Sequence, residues 1–303
     1  MTDLGTLPGG NISLGYGINA SGQVTGSAEV AHGINNVLIS PQAFIVDMSG
    51  EMKPVTGWPG SAGIGINNDG RVVGTITNGS HNLEGDAFVS GPNGSDAVII
   101  AGLRSDGATG TDINASGQAV GHALISSIFP HAFITSSNHV SVLDLGTLGG
   151  NRSLAAAVND SGQVVGNSET VQQIEAPFHA FIVDATSAMK DLGTLGGRSS
   201  QAMDINSHGV VVGSADTDVG NRKHAFITGP DGNNMVDLND LVKLEKGAFF
   251  VDATGINDRG QIVANANDGQ AYLLTPVPEP ETYALLLAGL GLIGFMARRK
   301  KIA

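Results

Sequence analysis

The feature that most constrains this chain is a short phrase that recurs along its length. Its fullest copy occupies residues 157–166 and reads Ala-Val-Asn-Asp-Ser-Gly-Gln-Val-Val-Gly. An apolar run, a short loop of Asn, Asp, Ser and Gly, and a second β-branched run are typical of a β-hairpin. A single hairpin is marginally stable in water, so the copies have to be explained together.

Two markers in the sequence keep the same period. The Asn of the phrase returns at steps of 48, 47, 45, 47 and 51 residues, as Asn19, Asn67, Asn114, Asn159, Asn206 and Asn257. An aromatic residue preceded by Ala follows in every copy, as Phe44, Phe88, Phe133, Phe181, Phe226 and Tyr272. Repeats of this length are typical of propellers and solenoids.

Each repeat contains enough short apolar runs for four strands. In the fourth copy these runs are residues 155–159, 163–168, 179–183 and 189–192. Four strands in one repeat form a propeller blade, so the sequence predicts an all-β fold, a six-bladed β-propeller within residues 1–276. A β-solenoid is the alternative fold, but its repeat units are shorter.

The two ends of the repeat array complement each other. Residues 3–5 read Asp-Leu-Gly, a phrase that ends other copies at 144–146 and 191–193, whereas the last copy stops after residue 274 without it. We therefore expect the N-terminal strand to complete the last blade and close the ring, which also removes an exposed sheet edge. The sixth repeat departs from the others, because residues 240–246 have helical spacing after a candidate N-cap, Asn239.

The composition fits this fold and excludes several functions. Gly accounts for 44 of the 303 residues, charged residues for 14% and Cys for none, which suits short strands with tight turns and rules out disulfides and thiolate sites. The net charge is −13. Because residues 277–303 hold four basic and two acidic side chains, the remaining chain carries −15. Such an acidic body has no electrostatic footprint for nucleic acid.

The C-terminal region differs from the repeats. Residues 277–282 form a Pro-rich linker that cannot continue a strand. Residues 283–297 are uncharged and mostly apolar, and a basic cluster follows, so residues 283–303 are predicted to be a single transmembrane helix with a cytoplasmic tail. The apolar stretch is short for a bilayer, and basic side chains can cover part of the difference. A core helix is the alternative, but the segment follows a complete repeat array.

This region resembles the PEP-CTERM sorting signal of Gram-negative bacteria. The resemblance rests on a motif, the apolar helix and a basic cluster, which here are Val277, Pro278, Glu279 and Pro280, residues 283–297, and Arg298, Arg299, Lys300 and Lys301. It implies recognition by an exosortase, a membrane protease-transpeptidase. It also implies a passage through the inner membrane with the propeller outside the cytoplasm, and then release or anchoring at the cell surface or in the biofilm matrix.

The repeats resemble the HAF-repeat family of extracellular proteins, named for His-Ala-Phe. That triplet stands at 131–133, 179–181 and 224–226, and Asp-Leu-Gly-Thr-Leu-Gly-Gly stands at 144–150 and 191–197. The resemblance implies an extracellular location and gives no activity to transfer. Exported proteins begin with a signal peptide. Because only one residue separates Met1 from the repeat phrase at 3–5, we expect the true start to lie upstream.

No set of residues in the sequence forms a recognisable active site or cofactor site. His131, His179 and His224 could suggest a metal site, but ligands must converge on one point, and a hydrogen bond from each His to a neighbouring turn explains them better. Loop length varies most between the second and third strands. These loops are expected to share a face with the Gly-Thr-Leu-Gly-Gly connectors, and this face is the candidate recognition surface.

The sequence therefore favours an exported, non-catalytic surface or matrix protein that presents a loop face to an exopolysaccharide or a surface protein. The alternative is an extracellular enzyme, a lyase or hydrolase acting on polysaccharide, with carboxylates gathered on the loop face. Three or more acidic or His side chains at the mouth of the channel would favour the enzyme. We interpret the repeated phrase as forming the turns and strands of the fold. The residues between its copies are expected to determine the function.

Overall fold

The computed structural model describes residues 2–32, 38–77, 85–101, 107–124, 129–184, 186–218 and 222–277. Within these ranges the strands form six antiparallel sheets, each built from consecutive strands. Each sheet corresponds to one copy of the repeat, and we number the sheets blade 1 to blade 6 in chain order. The predicted all-β fold is confirmed.

The sheets have the strand order of propeller blades. Five have four strands and the last has three. The strands of blades 1 to 3 are Ser13–Ile18 (β1), Val24–His32 (β2), Leu38–Val46 (β3), Met52–Pro54 (β4), Ser61–Ile66 (β5), Val72–Ile76 (β6), Asp86–Val89 (β7), Val98–Ile99 (β8), Thr109–Ile113 (β9), Ala119–Ala123 (β10), His131–Thr135 (β11) and Val142–Asp144 (β12). Those of blades 4 to 6 are Ser153–Val158 (β13), Val164–Glu169 (β14), Phe178–Val183 (β15), Lys190–Gly193 (β16), Gly196–Ile205 (β17), Val211–Thr217 (β18), Lys223–Ile227 (β19), Val236–Asp237 (β20), Phe250–Ile256 (β21), Ile262–Ala266 (β22) and Ala271–Leu274 (β23).

Inside a blade, a glycine of the second strand pairs with the aromatic residue of the third strand. Gly166 lies opposite Phe181, and Gly26 lies opposite Phe44. A Cβ atom at Gly26 would lie 2.9 Å from Cε1 of Phe44, so the ring occupies the space that glycine leaves free. The five Phe side chains of this set are fully buried: Phe44, Phe88, Phe133, Phe181 and Phe226.

The apolar core lies between neighbouring blades. The last residue of a first strand shares a cluster with an aliphatic residue from each of the second and third strands of the preceding blade. Ile205 of blade 5, for example, lies with Val165 and Ile182 of blade 4. The same trio recurs at other interfaces, as Ile113 with Val73 and Val89, Val158 with Val120 and Ile134, and Ile256 with Val212 and Ile227. Burying such side chains contributes about 1.5–3 kcal/mol each.

The predicted closure of the ring by the N-terminal strand is not found. β21, β22 and β23 form a three-stranded sheet, and residues 2–6 belong to no strand. The N-terminal segment is held by blade 1 instead. Leu7 is 1% exposed in the same apolar cluster as Phe44, and Ser13 Oγ donates a 2.7 Å hydrogen bond to the Gly5 carbonyl.

The helix predicted over 240–246 is also wrong in length and position. It is a single turn, Leu238–Leu241 (α1), followed by a 3-10 turn at Glu245–Gly247. Its N-cap is Asp237, whose carboxylate accepts the Asn239 N–H at 2.8 Å. The Asn239 side chain pairs with the backbone of Phe250 in β21, so it joins blades rather than capping a helix.

Among the residues that the structure describes, no helix has the length and apolar character needed to cross a membrane. Three predicted features lie outside the described residues. They are the transmembrane segment 283–303, its basic cluster Arg298–Lys301, and positions 278–282 of the linker. Val277, the first residue of the predicted sorting motif, is 87% exposed.

Candidate functional site

The blades present two opposite faces built from different loops. The turn face carries the turns between first and second strands and between third and fourth strands. The connector face carries the loops between second and third strands and the connectors between blades. Gly150 donates a 3.0 Å backbone hydrogen bond to Glu169 at the end of β14, and Leu195 bridges to Thr217 at the end of β18. The prediction that connectors and variable loops share a face is confirmed.

A pocket of about 440 Å³ lies on the connector face between blades 3 and 4. The Arg152 guanidinium lies 5.3 Å from the centre of the Phe129 ring, and its Nε lies 4.0 Å from the carboxylate of Glu169. Gln172 and Gln173 add carboxamides to the lining, which also includes Asn151, Ile174 and Glu175. The pocket therefore combines a cation, an aromatic face and hydrogen-bonding amides.

The strand order and one carboxylate explain why this pocket is formed. Glu169 ends β14 and is only 7% exposed, and its Oε2 accepts the Asn151 N–H at 2.9 Å. That bond fixes the connector beside the second strand and presents Arg152, which is half exposed, to solvent. The tip of the following loop carries Ile174, which is 96% exposed. A rigid base with an exposed loop above it is the usual arrangement of a binding surface.

The three histidines of the His-Ala-Phe triplets form pairs within their own blades. Each Nδ1 contacts an Asp carboxylate of the fourth strand, at 3.0 Å for His131–Asp144, 2.8 Å for His179–Asp191 and 2.6 Å for His224–Asp237. The expectation of a structural hydrogen bond is confirmed, although the partner is a strand residue. Among the described residues, no group of three or more His, Cys, Asp or Glu side chains is arranged to hold a metal.

The repeated Asn of the turn face is a joint between blades. Asn159 Oδ1 accepts the N–H groups of Ser161 and Gln163, at 3.1 and 3.0 Å, which shapes its own turn. Its Nδ2 donates to Gln163 Oε1 at 2.7 Å and to the Asn206 carbonyl of the next blade at 3.1 Å. Equivalent blade-to-blade bonds run from Asn19 to Asn67, Asn67 to Asn114, Asn114 to Asn159 and Asn206 to Asn257.

Two carboxylates of the first strands also connect blades. Asp112 Oδ2 accepts the Val158 N–H at 2.9 Å, and Asp204 Oδ2 accepts the Ile256 N–H at 2.8 Å. Burial raises the pKa of Asp112. Burial also raises the pKa of Asp204 to about 6, against the opposing effect of its backbone hydrogen bonds. Both groups have a structural role as acceptors between blades.

The raised pKa of Asp204 predicts a pH dependence of stability. The folded state binds this proton more tightly than the unfolded chain, whose ordinary value is 3.8, so stability falls as pH rises from about 4 to about 6. The contribution is about 2–3 kcal/mol. We expect Asp204→Asn to remove this part of the profile, measured by urea unfolding at several pH values between 4 and 7. Parallel profiles for the wild type and the variant would contradict the prediction.

Asp47 provides the matched control for this experiment. The hydrogen bond from Lys53 lowers the pKa of Asp47, so this group titrates below the same pH window. Asp47→Asn should therefore leave the slope of stability between pH 4 and 7 unchanged. The comparison separates the effect of Asp204 from the general effect of removing one negative charge from an acidic protein.

Two known protein families match parts of this chain. Residues 108–271, more than half of the chain, match the family described as protein of unknown function (DUF3466). The chain belongs to the DUF3466 family. The DUF3466 match begins just before blade 3 and ends at the first residue of β23, so it includes the connector-face pocket. A second match, to the PEP-CTERM protein-sorting motif, covers residues 276–300. No match was found among curated proteins.

Solved structures similar to this DUF3466 chain include a β-propeller domain. The propeller domain of the Trilobed protease from Pyrococcus furiosus, described as having an open velcro topology, matches with a TM-score of 0.59 and 12% identity, over 90% of this chain and 83% of that chain. The acylaminoacyl peptidase of Pyrococcus horikoshii matches with a TM-score of 0.54 and 10% identity, over 88% and 46%. A puromycin hydrolase mutant matches with 0.55 and 12%, over 86% and 44%. The chain spans less than half of the latter two. At these identities the likenesses show the fold alone, which the first of them describes as a β-propeller.

Proposed function

We propose that this protein is an exported, non-catalytic binding module of the cell surface or biofilm matrix. The observation that carries the proposal is the PEP-CTERM protein-sorting motif directly after the last blade, at residues 276–300. Val277, Pro278, Glu279 and Pro280 are the sorting motif that an exosortase recognises, and Arg298, Arg299, Lys300 and Lys301 hold the end of the apolar helix at the cytoplasmic side. The protein passes through the inner membrane of a Gram-negative bacterium before it reaches the surface.

The HAF-like repeats at residues 1–276 form the binding body, and the linker at 277–282 separates this body from the membrane segment 283–303. The proposed ligand is a hydroxyl-rich exopolysaccharide that binds in the connector-face pocket. Arg152, Gln172 and Gln173 offer hydrogen-bond donors there, and the Phe129 ring offers an apolar face. Planar donors beside an aromatic ring suit a sugar, which has hydroxyl groups on its edge and C–H groups on its face.

A non-catalytic role is supported by how the candidate catalytic groups are used. His131, His179 and His224 each contact an Asp of their own blade. Asp112 and Asp204 each accept backbone hydrogen bonds from the next blade. These contacts give the three histidines and the two aspartates structural partners, so these side chains are not free to act as the acid and base of polysaccharide cleavage.

Cell fractionation in an exosortase-positive host tests the proposal. The wild type should be found in the matrix fraction without its tail. Changing Pro278, Glu279 and Pro280 together to Ala should leave an unprocessed protein in the membrane fraction. Arg152→Ala should be processed normally but should move from the matrix to the medium by at least about tenfold, because a lost charge-assisted hydrogen bond weakens binding by about 1.5–3 kcal/mol.

Arg259→Ala is the matched control, because Arg259 is an exposed arginine on the turn face. It should remain in the matrix like the wild type. Equal release of both arginine variants would contradict a binding site in the connector-face pocket. Normal processing of the Pro278, Glu279 and Pro280 variant, or of the wild type in an exosortase deletion strain, would contradict the sorting mechanism.

A further inference from the structure

The two ends of the blade array carry the two halves of an interface that the described residues of one chain do not complete. At the end of blade 6, Val263 is 44% exposed and Leu273 is 65% exposed. Their equivalents in blade 4, Val165 and Ile182, are 0% and 5% exposed because the first strand of blade 5 covers them. We call the surface formed by Val263 and Leu273 the tail face.

Blade 1 presents the opposite half. Ile18, at the end of β1, is 70% exposed, whereas the equivalent Ile205 of blade 5 is 6% exposed. Tyr16 on the same strand is 52% exposed. We call the surface formed by Tyr16 and Ile18 the head face. The trio of first-strand, second-strand and third-strand residues that joins other neighbouring blades is thus divided between the head face and the tail face.

The hydrogen bonds that connect neighbouring blades are also split between the two ends. Ser153 Oγ accepts the N–H of Ala132, in the third strand of the preceding blade, at 2.8 Å. The corresponding serine of blade 1 is Ser13, and the corresponding donor on blade 6 is Ala271 of β23. Among the described residues no bond joins this pair. The Asn257 side chain likewise donates to Gln261 of its own turn, and within the described part of the chain it makes no bond to another blade.

Residues 3–5 already have the conformation that ends a fourth strand. Asp3 Oδ1 accepts the Gly5 N–H at 3.0 Å, and Gly5 has a φ of 74°. In the complete blade 3, Asp144 accepts the Gly146 N–H at 2.8 Å, and Gly146 has a φ of 73°. The segment that follows β12 in a four-stranded blade is therefore pre-formed at the N-terminus, while β23 leaves an edge without a fourth strand.

We propose that the tail face of one copy of this chain binds the head face of a second copy, head to tail. Residues 3–5 of the second copy then extend β23 as its missing fourth strand. The second copy is the occupant because it carries the complementary half of a contact that recurs between blades, and because the described residues of one copy leave both of its faces exposed. A contact between two different patches is heterologous and builds open chains or rings.

Light scattering after size exclusion tests the proposal on the full chain. The wild type should form multiples of its 30.8 kDa mass as concentration rises. Ile18→Glu removes the head face and Leu273→Glu removes the tail face, so each variant alone should be monomeric. A mixture of the two variants still contains one intact head and one intact tail, so it should form a 1:1 dimer of twice the monomer mass and nothing larger. Both positions are exposed, so both variants should fold, which far-UV circular dichroism checks.

Two outcomes would overturn the proposal. A wild type that stays monomeric at all concentrations, with both variants melting at a lower temperature, would show that the two ends of one chain close on each other. Association that persists in both single variants would assign it to another surface, such as residues 278–303.

Discussion

Gly166→Ala is expected to destabilise the protein by about 3 kcal/mol or more. A Cβ atom at this position would lie 2.0 Å from the Leu154 carbonyl oxygen and 2.9 Å from Cα of Ala155. Both atoms belong to the backbone of β13, so no side chain can move aside to relieve the clash. The first strand would have to leave its register. Urea unfolding followed by circular dichroism measures the loss.

Two other glycines separate this clash from a general effect of replacing glycine. An added Cβ at Gly57 meets nothing within 4 Å, so Gly57→Ala should change stability by less than about 0.5 kcal/mol. Gly22 also faces open space but has a φ of 83°, so Gly22→Ala should cost about 1–2 kcal/mol through backbone strain alone. Gly166 has no positive φ, so this strain does not act there, and an effect at position 166 as small as that at position 57 would contradict the clash.

The same packing recurs in other blades, which explains why glycine and phenylalanine repeat together. Added Cβ atoms at Gly26, Gly74 and Gly213 would lie 1.9–2.0 Å from a carbonyl oxygen of the first strand. Each would also lie 2.9 Å from the aromatic ring of the third strand. The two markers of the sequence are thus one structural unit, in which a glycine leaves room both for a neighbouring backbone and for a buried ring.

The strands and blades could be predicted because their signals are local and repeated. The strands expected in the fourth copy agree with β13 to β16 within two residues at each end. The shared face of loops and connectors followed from strand order alone. The pairing of each His with an Asp could also have been predicted, since these partners are 13, 12 and 13 residues apart in the chain.

The remaining features could not be predicted, because they depend on contacts between residues that are far apart in the sequence. The matching phrases at the two ends indicate that residues 3–5 complete a blade, but they do not indicate whether that blade belongs to the same copy. The pocket lining could not be predicted either, because Phe129 and Arg152 come from different blades and meet only after the blades pack. The blade-to-blade role of the Asn residues was missed because each bond joins residues 45–51 positions apart.

Asn159→Asp is the change that tests this role of the repeated Asn. The carboxylate keeps the two bonds that Oδ1 accepts, but it has no N–H to donate to the Asn206 carbonyl or to Gln163 Oε1. Asn159 is 4% exposed, so negative charge would be placed against these oxygens away from water. We expect a loss of about 2–4 kcal/mol at neutral pH, measured by urea unfolding.

Asn257→Asp is the matched control, because Asn257 has the same turn but is exposed, and among the described residues its Nδ2 donates only to Gln261 of that turn. Its loss should stay within about 1 kcal/mol, since one exposed hydrogen bond is replaced. When the carboxyl group introduced by Asn159→Asp is protonated, its O–H can donate to the Asn206 carbonyl, so this variant should regain stability relative to the wild type as pH falls from about 7 to about 4. If both variants lost the same stability, the repeated Asn would shape hairpin turns only, and packing of the aliphatic trios would have to account for the cohesion of the blades.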